Sequence, residues 1–250
     1  MRVGEFEAHV TVRCDGGDAQ VGRLERWAAA RGWKCAHIVL ARGRVPSQPM
    51  VTLGGCGPYE EQVRICRAAA DDLRAAGFVP VRVKIEVPPW DPAVPRSDEE
   101  ARAWALRCGP GTAADGTAPR YFEHHVKVLL DAGPGLGPGP GAAARDGQRS
   151  PGVSPLATLT AVAVAHDAHV SWNARRVAGP AGREQRFVTQ RCHGVGLPTA
   201  RGRLAALRRA LADLGVHIAE VEQEFVVYDS DTAVDEGWIV AARREEVAGR

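Results

Sequence analysis

An internal repeat narrows the folds open to this chain more than any other feature. Segment 5–13, EFEAHVTVR, matches segment 121–129, YFEHHVKVL, through a shared F-E-x-H-V-x-V. Segment 35–42, CAHIVLAR, matches 167–175, DAHVSWNAR, and 47–52, SQPMVT, matches 184–189, EQRFVT. Segment 82–91, RVKIEVPPWD, matches 220–229, EVEQEFVVYD. The matches keep the same order in both halves, which points to an internal duplication.

Each copy carries the same elements. Segments 5–13, 35–42, 48–53 and 80–87 alternate or are rich in β-branched residues, as strands are. Helical patterns lie between the first and second strands and before the fourth. The second of these ends at Gly77, a natural C-terminal stop. The other half reads alike: strand 121–129, helix 155–165 with Ser154 as cap and Pro155 at its first position, strands 168–173 and 185–191, helix 199–214 ending at Gly215, and strand 217–227. The order β-α-β-β-α-β is that of the ferredoxin-like unit. The expected fold is α+β, two tandem ferredoxin-like units forming an internal pseudo-dimer. Residues 1–92 form the first lobe, 93–119 a linker with a short helix at 97–107, 120–230 the second lobe and 231–250 a C-terminal tail. A Pro/Gly-rich insertion at 131–154 lacks the G-K-[ST] of a phosphate loop.

Strand parity assigns faces. Phe6, Ala8, Val10 and Val12 should meet the helices, leaving Glu7, His9, Thr11 and Arg13 on a polar face. The second copy leaves Tyr121, Glu123, His125 and Lys127 there. Arg82, Lys84 and Glu86 join that face in one half and Glu220, Glu222 and Glu224 in the other. His37 in one half, and His169, Ser171 and Asn173 in the other, complete it. His124, on the opposite face, reads as a core histidine. The economical arrangement presses the two polar faces together about a pseudo-twofold axis, with Arg82 and Lys84 paired to Glu220 and Glu222.

The duplicated Glu-x-His is the leading candidate site. Glu7, His9, Glu123 and His125 are the candidate catalytic residues, since a carboxylate beside an imidazole makes a general base with its orienting partner. The same donor types suit a divalent metal, with His9, His125, Glu86 and Glu224 as candidate ligands. Gln48 and Gln185, and Thr52 and Thr189, recur at matching positions, as hydrogen-bonding partners or simply as strand residues. Arg42, Arg44, Arg175 and Arg176 follow the second strand of each copy, and with Lys127 they are candidates for holding an anionic ligand, because guanidinium forks bind carboxylate or phosphate oxygens at two points.

Composition bounds the remaining choices. The chain has 250 residues, 25% of them charged, with a net charge of +2, too balanced for a nucleic-acid binder. The longest apolar runs fall short of a membrane span. The N-terminus alternates like a strand and not like a signal peptide. Cys14, Cys35, Cys56, Cys66, Cys108 and Cys192 form no C-x-x-C, so reduced thiols in a cytoplasmic protein are expected. His9-Val10-Thr11-Val12 and His169-Val170-Ser171-Trp172 resemble the H-x-[ST]-x motifs of two-histidine phosphoesterases, a resemblance that implies phosphoester cleavage. The repeat counterpart of His9 is His125, followed by Lys127, and the chain is not assigned to that family. The functional expectation is binding of an anionic, phosphorylated small molecule with hydrolysis at the Glu–His pairs. The alternative is a non-catalytic ligand-binding or interaction module whose polar faces only form the lobe interface.

Overall fold

In the computed structural model, which describes residues 4–108, 120–130, 154–175 and 183–239, eight antiparallel strands close into one barrel. The first half runs β1 (Gly4–Arg13), α1 (Gly17–Ala29), β2 (Lys34–Leu40), β3 (Ser47–Gly57), α2 (Tyr59–Ala75) and β4 (Val79–Val87). A helix α3 (Asp98–Cys108) follows. The second half runs β5 (Tyr121–Leu130), α4 (Pro155–Ala165), β6 (Ala168–Asn173), β7 (Glu184–His193), α5 (Leu197–Asp213) and β8 (His217–Asp229). A 3-10 turn, Thr232–Asp235, comes last. The insertion at 131–153 and most of the linker, 109–119, lie outside the described residues.

The helices start and stop for identifiable reasons. Glu60 and Glu61 sit in the first turn of α2 and Arg74 in its last, complementing the helix dipole. Gly77 and Gly215 take φ of +75° and +74° just past α2 and α5, a conformation that a side chain opposes. Pro155 occupies the first turn of α4, and Ser154 precedes it without a side-chain capping bond. No helix among the described residues is long and apolar enough to cross a membrane.

Within the first half the strands lie in the order β4-β1-β3-β2, and within the second β8-β5-β7-β6. The registers match as well. His9 sits opposite Thr52 and Lys84, and His125 sits opposite Thr189 and Glu222. The halves join edge to edge, β2 on β6 and β4 on β8. This differs from two separate sheets pressed face to face. Free edges on both half-sheets would leave backbone donors and acceptors unpaired, and closure pairs Ile38–Leu40 of β2 with β6 and Lys84–Val87 of β4 with β8.

The helices cover the outside of the barrel, so the apolar layer lies between sheet and helix. Phe6, Ala8, Val10, Val12, Leu24, Val51 and Leu73 belong to one core. Val126, Val128, Leu159, Val188, Leu207 and Leu211 belong to the other. The barrel interior is left to the polar face: Thr52, Arg82, Lys84, Glu86, Glu123, His169, Thr189 and Asp229 are all buried.

Two expected placements differ. His37 lies on the helix side of β2, with Nε2 2.9 Å from the Ser47 hydroxyl. The pairing of Cys35 with core residue Val51, and of Ala36 with Met50, fixes that parity. Arg82 and Lys84 do not meet Glu220 and Glu222. The β4–β8 register sets Lys84 against Asp229 and Val87 against Phe225, so the two ladders overlap only at their C-terminal ends.

Candidate functional site

His9 and His125 are held alike. His9 Nδ1 lies 2.8 Å from Thr52 Oγ1, and His125 Nδ1 lies 3.0 Å from Thr189 Oγ1. Each threonine is the cross-strand neighbour of its histidine and faces the same interior. The Nε2 atoms point at carboxylates. His9 Nε2 is 2.8 Å from Glu86 and 3.6 Å from Glu7. His125 Nε2 is 3.2 Å from Glu123 and 3.7 Å from Glu224. Thus Glu7, His9, Glu86, Glu123, His125 and Glu224 all take part in imidazole–carboxylate contacts.

Lys84 links the halves. Its Nζ is 2.7 Å from Glu86 and also pairs with Glu123. Glu123 receives a second cation, the Arg191 guanidinium, from the neighbouring strand. Glu123 and Glu86 are almost fully buried, at 2% and 1% side-chain exposure. Burial alone would raise both carboxyls. Arg191 and Lys84 hold Glu123 well below the usual carboxylate range, and Lys84 and His9 hold Glu86 down. Burial works against a charge on His125, yet its contact with Glu123 keeps its pKa above the ordinary imidazole value.

Glu224 differs from the other interior carboxylates. Among the described residues its carboxylate makes no hydrogen bond, and its ion-pair contact is His125 at 3.7 Å. Burial and the charge of Glu86 push it up to about 8. One oxygen each of Glu86 and Glu224 and one nitrogen of His125 all lie within 4.8 Å of one another.

One end of the barrel is sealed by residues 232–239, part of the segment expected as a tail. Asp235 accepts from Arg82 Nη1 and Arg191 Nη2, each at 2.7 Å, and from Gln48 Nε2 at 2.8 Å. Trp238 donates through its indole nitrogen to the Val170 carbonyl at 3.1 Å and packs beside the His169 ring. Arg82 also grips Asp229, which accepts from the Tyr121 hydroxyl at 2.7 Å. Away from this plug the interior face carries Glu7 and Glu220, both partly exposed, with Lys127 paired to Glu220.

Among the described residues, Arg42, Arg44 and Arg175 do not converge on His9 and His125. Arg42 sits at the plug, 3.5 Å from both the Trp238 carbonyl and His169 Nδ1. Arg44 pairs with Glu236. Arg175 pairs with Glu25 of α1, on the helix side. The β2 and β6 ends carry these arginines to the rim and outer surface, where acidic groups of the chain engage Arg44 and Arg175. Arg176 lies outside the described residues. His124 is fully buried, with Nδ1 3.1 Å from Gln190.

Sequence reasoning missed the central role of Lys84 and the whole plug. Asp229 continues a strand whose parity should have turned it outward. A β-bulge, at which Val226 to Tyr228 span the single step from Ile85 to Glu86, returns it to the interior. Asp235 and Trp238 lie in a segment without periodicity, so no pattern marked them.

No known protein family matches the chain, and no curated protein matches it. The functional reading therefore rests on the barrel interior.

Proposed function

We propose that the barrel interior binds an anionic, phosphorylated small molecule and hydrolyses its phosphoester at the paired Glu–His sites. The observation that carries this reading is the like treatment of His9 and His125, each fixed by a threonine at Nδ1 and aimed at carboxylates through Nε2. In this scheme the fold is a tandem ferredoxin-like duplication, and the matched strand orders and His–Thr registers support it. The pseudo-twofold brings one catalytic set from each copy to a common interior.

A water oxygen attacks phosphorus and the bond to the ester oxygen breaks. One imidazole takes the water proton, and the other returns a proton to the departing alkoxide. His9 is the base. His125 is the acid, since Glu123 favours its protonated form. Lys84 stands nearest both sets and stabilises charge on the phosphoryl oxygens. Lys127 takes the guiding role expected of the arginines. The free cysteines Cys14, Cys35, Cys56, Cys66 and Cys192 suit a cytoplasmic setting.

A second reading has its own support: Arg82, Lys84, Lys127 and Arg191 are all engaged by carboxylates of the chain itself. On that reading the interior is a structural ion-pair network of a non-catalytic module. Hydrolysis of p-nitrophenyl phosphate and bis-p-nitrophenyl phosphate separates the two. The hydrolytic reading expects turnover that falls at least a hundredfold in a folded His9→Ala, His125→Ala variant. Turnover unchanged in that variant, or none in the parent chain, favours the structural network.

A further inference from the structure

We propose that Glu86, His125 and Glu224 bind a divalent cation of the manganese, iron or zinc class inside the barrel. The inference rests on the functional reading above only for the placement of the working site within the barrel, and it replaces the acid role of His125, since an Nε2 that ligates an ion has no proton to give. The three donors come from β4, β5 and β8, neighbouring strands of both halves. Their ligating atoms lie within 4.8 Å of one another. Two ligands of one ion at about 2.1 Å each stand no more than about 4.2 Å apart. The 4.8 Å bound on the three donors lies close to that span.

The tautomer also fits. A metal-bound His125 Nε2 carries no proton, so Nδ1 must hold the hydrogen and find an acceptor. Thr189 Oγ1 stands 3.0 Å from Nδ1, on the neighbouring strand. Orientation of a ligating imidazole through its second nitrogen is the usual outer contact of such sites. His9 plays the corresponding part for Glu86, 2.8 Å from one carboxylate oxygen. It is a positioning residue here, not a ligand.

Charge points the same way. Around His125 stand three carboxylates, Glu86, Glu123 and Glu224, with two cations, Lys84 and Arg191. Glu123 takes both Lys84 and Arg191, and Glu86 shares Lys84. Among the described residues the ion-pair partner of Glu224 is the His125 imidazole. A dication between Glu86 and Glu224 offsets the repulsion of their two carboxylates and offers a phosphoryl oxygen a positive partner. Two carboxylates with one imidazole favour manganese, iron or zinc over the all-oxygen sites of calcium.

The test uses the full chain, stripped with chelator and dialysed. Mn2+ is added and its free-ion paramagnetic resonance signal followed, with Zn2+ as competitor. The proposal expects one ion per chain. Glu224→Gln and His125→Asn are each expected to weaken binding at least tenfold, whereas Glu236→Gln, on the rim, is expected to leave it unchanged. Glu224 makes no hydrogen bond among the described residues, so its amide variant should fold and decides the matter alone if the histidine variant does not. Absence of stoichiometric Mn2+ and Zn2+ binding, or undiminished binding in folded Glu224→Gln, overturns the site. Binding needs no phosphoester, so the two readings fail separately: an ion bound without turnover keeps the site and removes the hydrolysis.

Discussion

Arg82 of β4 grips Asp229 of β8 through one edge of its guanidinium, Nε to Oδ1 at 2.8 Å and Nη2 to Oδ2 at 2.6 Å. Both side chains are almost fully buried, at 4% and 0% exposure. Burial opposes the charge on Arg82, and Asp229 and Asp235 together retain it. Removing one partner of such a pair leaves an uncompensated buried charge, at a cost of about 3–5 kcal/mol. Asp229→Ala is therefore expected to lower unfolding free energy by about that amount in urea titrations. A loss under about 1 kcal/mol, the range of exposed pairs, would contradict the buried-network account.

The plug depends on a glycine. Gly43 has φ of +120°, and a Cβ there would stand 3.0 Å from the Trp238 backbone nitrogen and 3.2 Å from the Glu236 carbonyl oxygen. Gly43→Ala combines a backbone penalty of about 1–3 kcal/mol with displacement of the plug. The expected result is a fall in Tm of several degrees and a red-shifted tryptophan emission. Unchanged values would show that residues 232–239 do not seal the barrel.

Acid sensitivity has a local source in His169. Burial, then the neighbouring Arg42 and Arg191 charges, push its pKa down to about 4. The unfolded chain takes up a proton near the ordinary value of about 6.5, while the folded chain stays neutral until about 4. The unfolded state thus binds more protons in this window. Stability is full above pH 6.5 and is lost as pH falls towards 4, by on the order of 2–3 kcal/mol. His169→Gln removes this contribution. Urea titrations at pH 7 and pH 4.5 should show the parent chain losing more stability than the variant. Equal losses would exclude the histidine.

Thr189 orients the imidazole that ligates the ion in the proposed site. Thr189→Val keeps the shape and removes the hydroxyl. Loss of such an outer contact costs about 10–100-fold in metal affinity. Mn2+ titration of Thr189→Val checks this, with affinity equal to the parent chain as the contrary result.

Much of the fold was legible in the sequence because hydrophobic alternation reports which face of a strand meets a helix. Strand β6 and helix α4 occupy their predicted spans, Ala168–Asn173 and Pro155–Ala165. The F-E-x-H-V-x-V repeat located His9 and His125, and parity placed both on the interior face. Alternation says nothing of how two half-sheets meet, so closure through β2–β6 and β4–β8 went unread. Nor does it survive a bulge, and the one in β8 hides the inward turn of Asp229 from the pattern. His37 was misplaced because β2 is short and its few apolar residues fit either parity. The arginines after β2 and β6 matched between halves in sequence, yet the end of a strand sets only a height on the barrel, not a direction. Arg42 turned to the plug and Arg175 to α1.

The most direct measurement is anomalous diffraction from crystals soaked in Mn2+. The account predicts a single strong peak inside the barrel, bounded by the Glu86 and Glu224 carboxylates and His125 Nε2. An interior without a peak, in crystals whose exposed carboxylates do bind the ion, would contradict it.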